Sequence, residues 1–130
     1  MRRNLFLFAL LIVLPTLAWA AGHEHPEKWY QERWCSSRGR MEVVLKDGSR
    51  CDCLTDTYAV EFDFGAKWAE SIGQSLNYSA QTGKRPGIVL ILERPGDERY
   101  LERIRTVNRA FGLGITIWTI DRHGQERSRP

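Results

Sequence analysis

The sequence predicts an α+β domain in which a central mixed sheet is flanked by helices, with the order α-β-β-β-α-β-α-β. Three observations favour this class. An Asp47-Gly48 turn separates two short strand patterns, as in an antiparallel hairpin. The run Gly87–Leu92 is almost entirely apolar, which is typical of a strand buried on both faces. Stretches with helical spacing precede and follow that run, as a polar stripe in residues 66–81 and an apolar stripe in residues 98–111.

A targeting segment precedes the predicted domain. Arg2 and Arg3 form a basic start, Leu5–Leu17 is largely apolar, and Ala18-Trp19-Ala20 is a small-x-small cleavage site. These are the parts of a secretory signal peptide, so we expect residues 1–20 to be removed and residues 21–130 to form one domain. An uncleaved anchor is the alternative, but the apolar run is too short to favour a membrane span. Removing the two arginines lowers the formal charge from +3 to +1, which argues against a polybasic nucleic-acid surface.

Local signals place the elements along the chain. Pro26 opens the first helix, the Thr82–Pro86 segment ends the second, and Asp97 and Gly112 bound the third. We expect the polar tail from Asp121 to be loose. The predicted bounds are helices at 26–36, 66–81 and 98–111 and strands at 41–45, 50–54, 58–64, 87–92 and 115–120.

One strand carries the candidate chemistry. In the segment Tyr58–Phe64, Glu61 and Asp63 share one face with Ala59, whereas the other face is apolar. Asp52 lies one strand back, and a hairpin would bring its carboxylate beside the same pair. Carboxylates on a partly buried face need a cationic partner, and a hard divalent cation with oxygen ligands suits three of them. The pattern therefore predicts a divalent-cation site on this face.

The helix that follows adds more polar groups. Lys67, Ser71, Gln74 and Tyr78 recur at helical spacing and so lie on one stripe. An amine, an amide and a phenol that face the acidic strand would line a catalytic pocket. We expect Gln74 and Tyr78 to face the carboxylates and the intervening apolar residues to face the sheet.

The element order and these residues together resemble the PD-(D/E)XK nuclease superfamily, whose restriction-endonuclease-like core is αβββαβ. Asp52 before a turn, Glu61 on the next strand and Gln74 four residues before Tyr78 are similar to the motifs of RecB-type nucleases and relatives of Holliday-junction resolvases. The resemblance covers most of residues 21–130, with an extra helix and strand at the C-terminus. It implies hydrolysis of phosphodiester bonds in DNA or RNA with Mg²⁺ or Mn²⁺.

The resemblance also implies metal ligands. Asp52 and Glu61 would bind the metal, with the Phe62 carbonyl as a further ligand. An acidic residue on the first helix would be the upstream carboxylate, and Glu32 is preferred to Glu27 for this role.

The chain departs from the family pattern at the lysine. Two residues after the glutamate, where the family has lysine, this chain has Asp63. Lys67 opens the next helix and would supply the displaced amine that orients or activates water. The alternative is that Lys67 only pairs with Asp63, in a fold that has lost its chemistry.

The chain has three cysteines, Cys35, Cys51 and Cys53. In an oxidising compartment one pair should form a disulfide and one thiol should remain. We expect Cys35 to pair with either Cys51 or Cys53, which would fasten the first helix to the strand of Asp52. Because Cys51 and Cys53 alternate with Asp52, both should lie on the face opposite the carboxylates. A structural zinc is disfavoured, since no fourth ligand has suitable spacing.

Signal cleavage after Ala20 would create a second candidate metal site. The new amine at Ala21, two amides and the imidazole of His23 form a nitrogen set suited to Cu²⁺ or Ni²⁺. The alternative is a flexible polar leader whose histidines have no role.

Two functions from different classes fit these observations. The first is a periplasmic or secreted metal-dependent nuclease, whose partner is nucleic acid. The second is a catalytically inactive domain of the same fold that binds or braces a protein assembly in the cell envelope. Neither keeps a membrane anchor after signal cleavage. An aromatic surface would suit the second function, but such tryptophans are more often core residues, namely Trp29, Trp34, Trp68 and Trp118.

Overall fold

A computed structural model describes residues 22–127, so the predicted signal peptide and Ala21 lie outside the described residues. The eight predicted helices and strands are all present in the predicted order. No helix in the described part is long and apolar enough to cross a membrane. The helices are α1 (Glu27–Cys35), α2 (Trp68–Thr82, after a 3-10 turn at Gly65–Lys67) and α3 (Glu98–Phe111), and the strands are β1 (Gly39–Val44), β2 (Arg50–Thr55), β3 (Tyr58–Phe64), β4 (Arg85–Leu92) and β5 (Thr116–Asp121).

The strands form one mixed sheet in the order β1-β2-β3-β4-β5. Neighbouring strands from β1 to β3 are antiparallel, whereas β3, β4 and β5 run parallel. Parallel neighbours need a crossover connection, which α2 supplies between β3 and β4 and α3 between β4 and β5. The expected α+β class with a mixed sheet and flanking helices is confirmed.

Helices cover both faces of the sheet. On one face, Tyr30 and Trp34 of α1 pack against the apolar side chains of β3 and β4, namely Val60, Phe62, Val89 and Ile91. On the other face, α2 and α3 cover Ile88 and Leu90. Strand β4 is therefore buried on both sides, as its apolar run predicts. The four tryptophans expected in the core pack in or against these two clusters, namely Trp29, Trp34, Trp68 and Trp118.

Glycines end both crossover helices, as predicted. Gly83 (φ 71°) and Gly112 (φ 58°) adopt the left-handed conformation after α2 and α3. Asp97 lies at the start of α3, but its side chain makes no capping hydrogen bond to that helix. Instead its Oδ2 accepts the backbone N–H of Arg94 at 3.0 Å. Asp97 is therefore the N-cap residue by position, as predicted, but its carboxylate closes the turn before the helix and does not cap α3.

The C-terminal segment as far as residue 127 folds back onto the sheet, contrary to the expectation of a loose tail. The Asp121 carboxylate accepts backbone N–H groups from His123 and Gln125, which folds the chain back. Glu126 then pairs across from Ile120 and accepts a hydrogen bond from the indole of Trp34 at 3.0 Å. The tail up to residue 127 thus connects β5 to α1.

A disulfide joins Cys35 at the end of α1 to Cys53 on β2, and Cys51 is a buried free thiol. One of the two expected pairings is therefore confirmed. The expectation that Cys51 and Cys53 share one face is wrong, because Cys51 packs with Ala59 and Tyr78 rather than with α1. The regular pairing of β2 with β3 stops on the Asp52 side of Cys53, as described below.

Candidate carboxylate cavity

A cavity of about 410 Å³ lies between α1, β2, β3 and α2. It brings together the candidate carboxylates and the polar side chains of α2, which the sequence predicted to share one pocket. Ten residues line it, namely Glu27, Ser49, Arg50, Asp52, Glu61, Asp63, Lys67, Glu70, Gln74 and Tyr78. Five of these are acidic and only two are cationic, so the cavity is strongly acidic.

Asp52 lies where β2 and β3 separate. Regular pairing between these strands ends at Cys53 and Val60. Beyond that point, Asp52 Oδ2 accepts the backbone N–H of Phe62 at 2.7 Å. The side chain takes the place of a strand-to-strand hydrogen bond, and the gap between the strands becomes part of the cavity. The ring of Phe62 packs on the α1 side, so only its backbone is near Asp52.

Glu61 lies beside Asp52 and is the more deeply buried of the two carboxylates. Its exposed fraction is 4%, and its Oε2 has no hydrogen-bond partner. Burial raises the pKa of Glu61, and the nearby Asp52 charge raises it further. Burial also raises the pKa of Asp52, but the N–H of Phe62 limits that rise. Burial therefore disfavours the charged form of both carboxyls, and a cation shared by the pair would relieve that cost.

Asp63 and Glu27 are a second pair of perturbed acids. Burial raises the pKa of Asp63 to about 6, and the charge of Lys67 opposes the rise. Burial raises the pKa of Glu27 to about 7, with the charges of Asp52 and Asp63 adding to it. No salt bridge within 4.0 Å joins Lys67 to either acid in residues 22–127. The close Asp63–Lys67 pair considered from the sequence is therefore not formed, and Lys67 acts on both acids from a distance.

Helix α2 lies over the carboxylates in the predicted orientation. Gln74 and Tyr78 both line the cavity, whereas Ile72 and Leu76 pack into the core cluster beneath α2. Gln74 is exposed at the mouth, and Tyr78 is buried. Burial and the charge of Glu61 raise the pKa of the Tyr78 phenol, so it remains a hydrogen-bond donor at neutral pH.

Ser71, the remaining member of the polar stripe, does not line the cavity. It is fully buried and donates a hydrogen bond to the Trp68 carbonyl at 2.7 Å. Its hydroxyl satisfies a backbone group within the first turn of α2, which is a structural role.

Glu32 lies outside the cavity and is exposed, which corrects the preference for it as the upstream carboxylate. Glu27, the second choice, lines the cavity. Five residues along an α-helix correspond to a rotation of roughly 140° from one another, so these two side chains cannot face the same way. Gln31, one turn after Glu27, donates a hydrogen bond to its carboxylate at 3.0 Å.

The sequence reasoning missed other lining residues. Arg50 and Asp52 are two residues apart on β2, and this spacing alone indicates that they share one face of the strand. Glu70 lies three residues after Lys67, which indicates a common helix face. Ser49 enters through the hairpin turn and carries no comparable signal.

The side chains fit a hard divalent cation. The carboxylates of Asp52 and Glu61 supply only oxygen donors, and the unpartnered Oε2 of buried Glu61 lacks a positive or donor group. No set of three or more His, Cys, Asp or Glu side chains in residues 22–127 is arranged as a metal cage. Mg²⁺ commonly uses one or two carboxylates and completes its shell with water and substrate oxygens, so two protein ligands match its chemistry.

The residues after the predicted cleavage site are bound to the domain. The Glu93 carboxylate at the end of β4 accepts hydrogen bonds from the His23 imidazole (2.9 Å) and the Glu24 backbone (3.0 Å). His23 also stacks on Phe64, with ring centroids 3.4 Å apart. A loose leader is therefore the wrong interpretation for these residues. The proposed copper site needs Ala21, which lies outside the described residues, and would compete with Glu93 for His23 Nδ1.

A second cavity, of about 470 Å³, lies between α3 and β5. Its acidic residues are exposed or half-exposed and are already neutralised: Glu98 pairs with Arg127 at 3.2 Å and Glu102 with Arg105 at 3.4 Å. The carboxylates of residues 22–127 whose pKa is raised, chiefly by burial, all line the first cavity, so that cavity is the better candidate for chemistry despite its smaller volume.

No known protein-family model, curated protein or solved structure matches this chain. The resemblance to PD-(D/E)XK nucleases therefore stays a prediction from the sequence.

Proposed function

We propose that the chain is an exported metal-dependent nuclease with a restriction-endonuclease-like core, which hydrolyses phosphodiester bonds of DNA or RNA. The observation that carries this proposal is the acidic cavity. Within it, the deeply buried Asp52 and Glu61 lie side by side, Glu61 has an unpartnered carboxylate oxygen, and Lys67 lines the same wall. A buried acidic pair of this kind is stable when a cation shares it.

Each lining residue has a role that follows from its chemistry. Asp52 and Glu61, with the Phe62 carbonyl, would hold Mg²⁺ or Mn²⁺, which when bound stabilises developing negative charge and lowers the pKa of water. The N–H of Phe62 holds Asp52 in place for this task. Lys67 is exposed at the cavity and free to orient a water or neutralise a phosphate oxygen.

Gln74 and Tyr78 complete the wall on the α2 side. Gln74, at the mouth, can donate to or accept from the substrate, and the Tyr78 phenol can donate a hydrogen bond to Glu61. Asp63 and Glu27 add charge that strengthens cation binding.

Export is the second part of the proposal. The Cys35–Cys53 disulfide fits an oxidising compartment such as the periplasm or the medium. The signal-peptide pattern in residues 1–20 supports the same location.

The test is hydrolysis of plasmid DNA and of RNA by the oxidised 21–130 protein with Mn²⁺. We expect cleavage by the parent protein and loss of cleavage in Glu61→Ala. Glu32→Ala is the matched control, because Glu32 is an exposed acid on α1 outside the cavity. The proposal would be overturned if the parent protein neither cleaves nucleic acid nor binds Mn²⁺ in calorimetry. The alternative of an inactive domain that binds an envelope partner would then remain.

A further inference from the structure

We infer that Arg50 binds a phosphate of the nucleic-acid substrate at the mouth of the carboxylate cavity. In the absence of substrate Arg50 forms a salt bridge with Glu42, and the phosphate replaces Glu42 as its partner. This inference rests on the nuclease function proposed above and names the group that holds the substrate.

Arg50 is placed to meet a polyanion before the carboxylates do. It begins β2 two residues before Asp52, lines the same cavity, and leaves 65% of its side chain exposed. Arg50 and Lys67 are the only cationic residues among those that line this cavity. An acidic wall repels a phosphodiester chain, so binding needs a cation at the entrance.

The guanidinium of Arg50 suits phosphate better than the ammonium of Lys67. Its planar fork can donate two parallel hydrogen bonds to phosphate oxygens, whereas an ammonium acts as a point charge. The two cations enter from different walls, Arg50 from β2 and Lys67 from the start of α2. Arg50 would thus hold a phosphate while Lys67 serves the reacting centre.

Glu42 is the present partner of Arg50, and it is an unusual residue. Arg50 Nη1 lies 3.4 Å from Glu42 Oε2. Glu42 is the only non-glycine residue in 22–127 with a positive φ, at 54°, a conformation unfavourable for a residue with a Cβ. Its position in the β1–β2 register, between Met41–Cys53 and Val43–Cys51, puts it opposite Asp52. Such outliers persist mainly where function retains them.

The Arg50–Glu42 pair is suited to exchange. It is a single, long contact between two partly exposed side chains, and pairs of this kind are weak. A phosphate that offers a two-point contact can therefore displace the Glu42 carboxylate from the guanidinium.

The test measures binding of a short fluorescein-labelled single-stranded oligodeoxynucleotide by anisotropy, in Ca²⁺ buffer at several salt concentrations. We expect Arg50→Ala to raise Kd about tenfold, because it removes a charge-assisted phosphate contact. The slope of log K (the association constant) against log salt concentration should become shallower by about 0.7. Arg50→Gln should behave alike, which guards against a folding defect in one variant. Arg109→Ala, which removes an exposed arginine from the far end of α3, should change neither quantity.

Glu42→Gln tests the exchange. Removing the competing charge should lower Kd. Most of this increase in affinity should be lost when Arg50→Ala is also present, because the two residues act through one contact. An unchanged Kd and salt slope in both Arg50 variants would overturn the inference, while Mn²⁺-dependent cleavage by the parent would leave the nuclease proposal standing. Binding without cleavage would overturn the nuclease alone, and a parent protein that neither binds nor cleaves would overturn both.

Discussion

The hydrogen bond between Tyr30 and Glu93 should be a measurable part of the stability of the domain. Tyr30 is fully buried on α1, and its hydroxyl donates to Glu93 Oε1 at 2.6 Å. The Glu93 side chain is only 3% exposed. Burial alone would raise the pKa of Glu93, but donors led by Tyr30 and His23 outweigh it and hold that pKa below its usual range. The carboxylate is therefore charged and dependent on its donors.

Tyr30→Phe removes one donor and changes little else, since the ring remains in the core. A hydrogen bond to a charged group contributes about 1.5–3 kcal/mol. Glu93 keeps the His23 and Glu24 donors, so we expect a loss near 2 kcal/mol in the free energy of unfolding. With a urea m-value of about 1–3 kcal/mol/M, the midpoint should fall by roughly 0.7–2 M.

The assay is urea unfolding of the oxidised protein at neutral pH, followed by tryptophan fluorescence. Tyr100→Phe is the matched control, because the Tyr100 hydroxyl meets only the exposed Arg99 guanidinium and its loss should cost under about 0.5 kcal/mol. A loss below about 0.5 kcal/mol for Tyr30→Phe, with an unchanged m-value, would refute the idea that the Tyr30 hydroxyl stabilises the buried Glu93 carboxylate.

Four further outcomes are expected. Thiol titration of the denatured, unreduced protein should find one free thiol, that of Cys51, and reduction of the disulfide should cost about 2–4 kcal/mol; three thiols would contradict the bridge. Burial raises the pKa of Glu27 to about 7 and that of Asp63 to about 6, so the folded chain binds these protons more tightly than the unfolded chain. Without divalent cations the free energy of unfolding should therefore fall as pH rises from about 4 to about 7, and Glu27→Gln should flatten that fall in urea titrations at several pH values. Lys67→Ala should abolish hydrolysis while Mn²⁺ affinity survives, and adding Asp63→Asn should not restore it; activity that survives both changes would remove Lys67 from the mechanism. Mass spectrometry of the exported protein should find Ala21 at the amino terminus, whereas soluble cytoplasmic protein with an intact Met1 would contradict export.

Periodic patterns together with local turn and cap signals were sufficient to place the three α-helices and five strands of residues 22–127. The alternation in β3, the apolar run of β4 and the stripes of α2 and α3 each record which side of an element is buried. The same patterns put Glu61 and Asp63 on one strand face and Gln74 and Tyr78 on one helix face, and the structure brings these faces together.

Choices between close neighbours in the chain needed the tertiary structure. Glu27 and Glu32 are both acidic residues of α1, and only the rotation of that helix on the sheet decides which one reaches the cavity. Cys51 and Cys53 are two residues apart, and the break in pairing beside Asp52 leaves Cys53 alone against Cys35.

Long-range contacts to single polar groups were also beyond the sequence. The sequence has no pattern that links His23 to Glu93 across 70 positions or directs the Asp52 carboxylate to the Phe62 backbone. By itself the sequence determined the order of the elements, the buried faces of β3, β4, α2 and α3, and six of the residues that line the candidate site, namely Asp52, Glu61, Asp63, Lys67, Gln74 and Tyr78. The tertiary structure decided which of those residues meet, and how far burial and neighbouring charge raise their pKa values. The physical reason is that the buried side of a helix or strand shows as a periodic pattern of apolar residues within that element. Desolvation and the interaction of charges depend instead on the distances between elements.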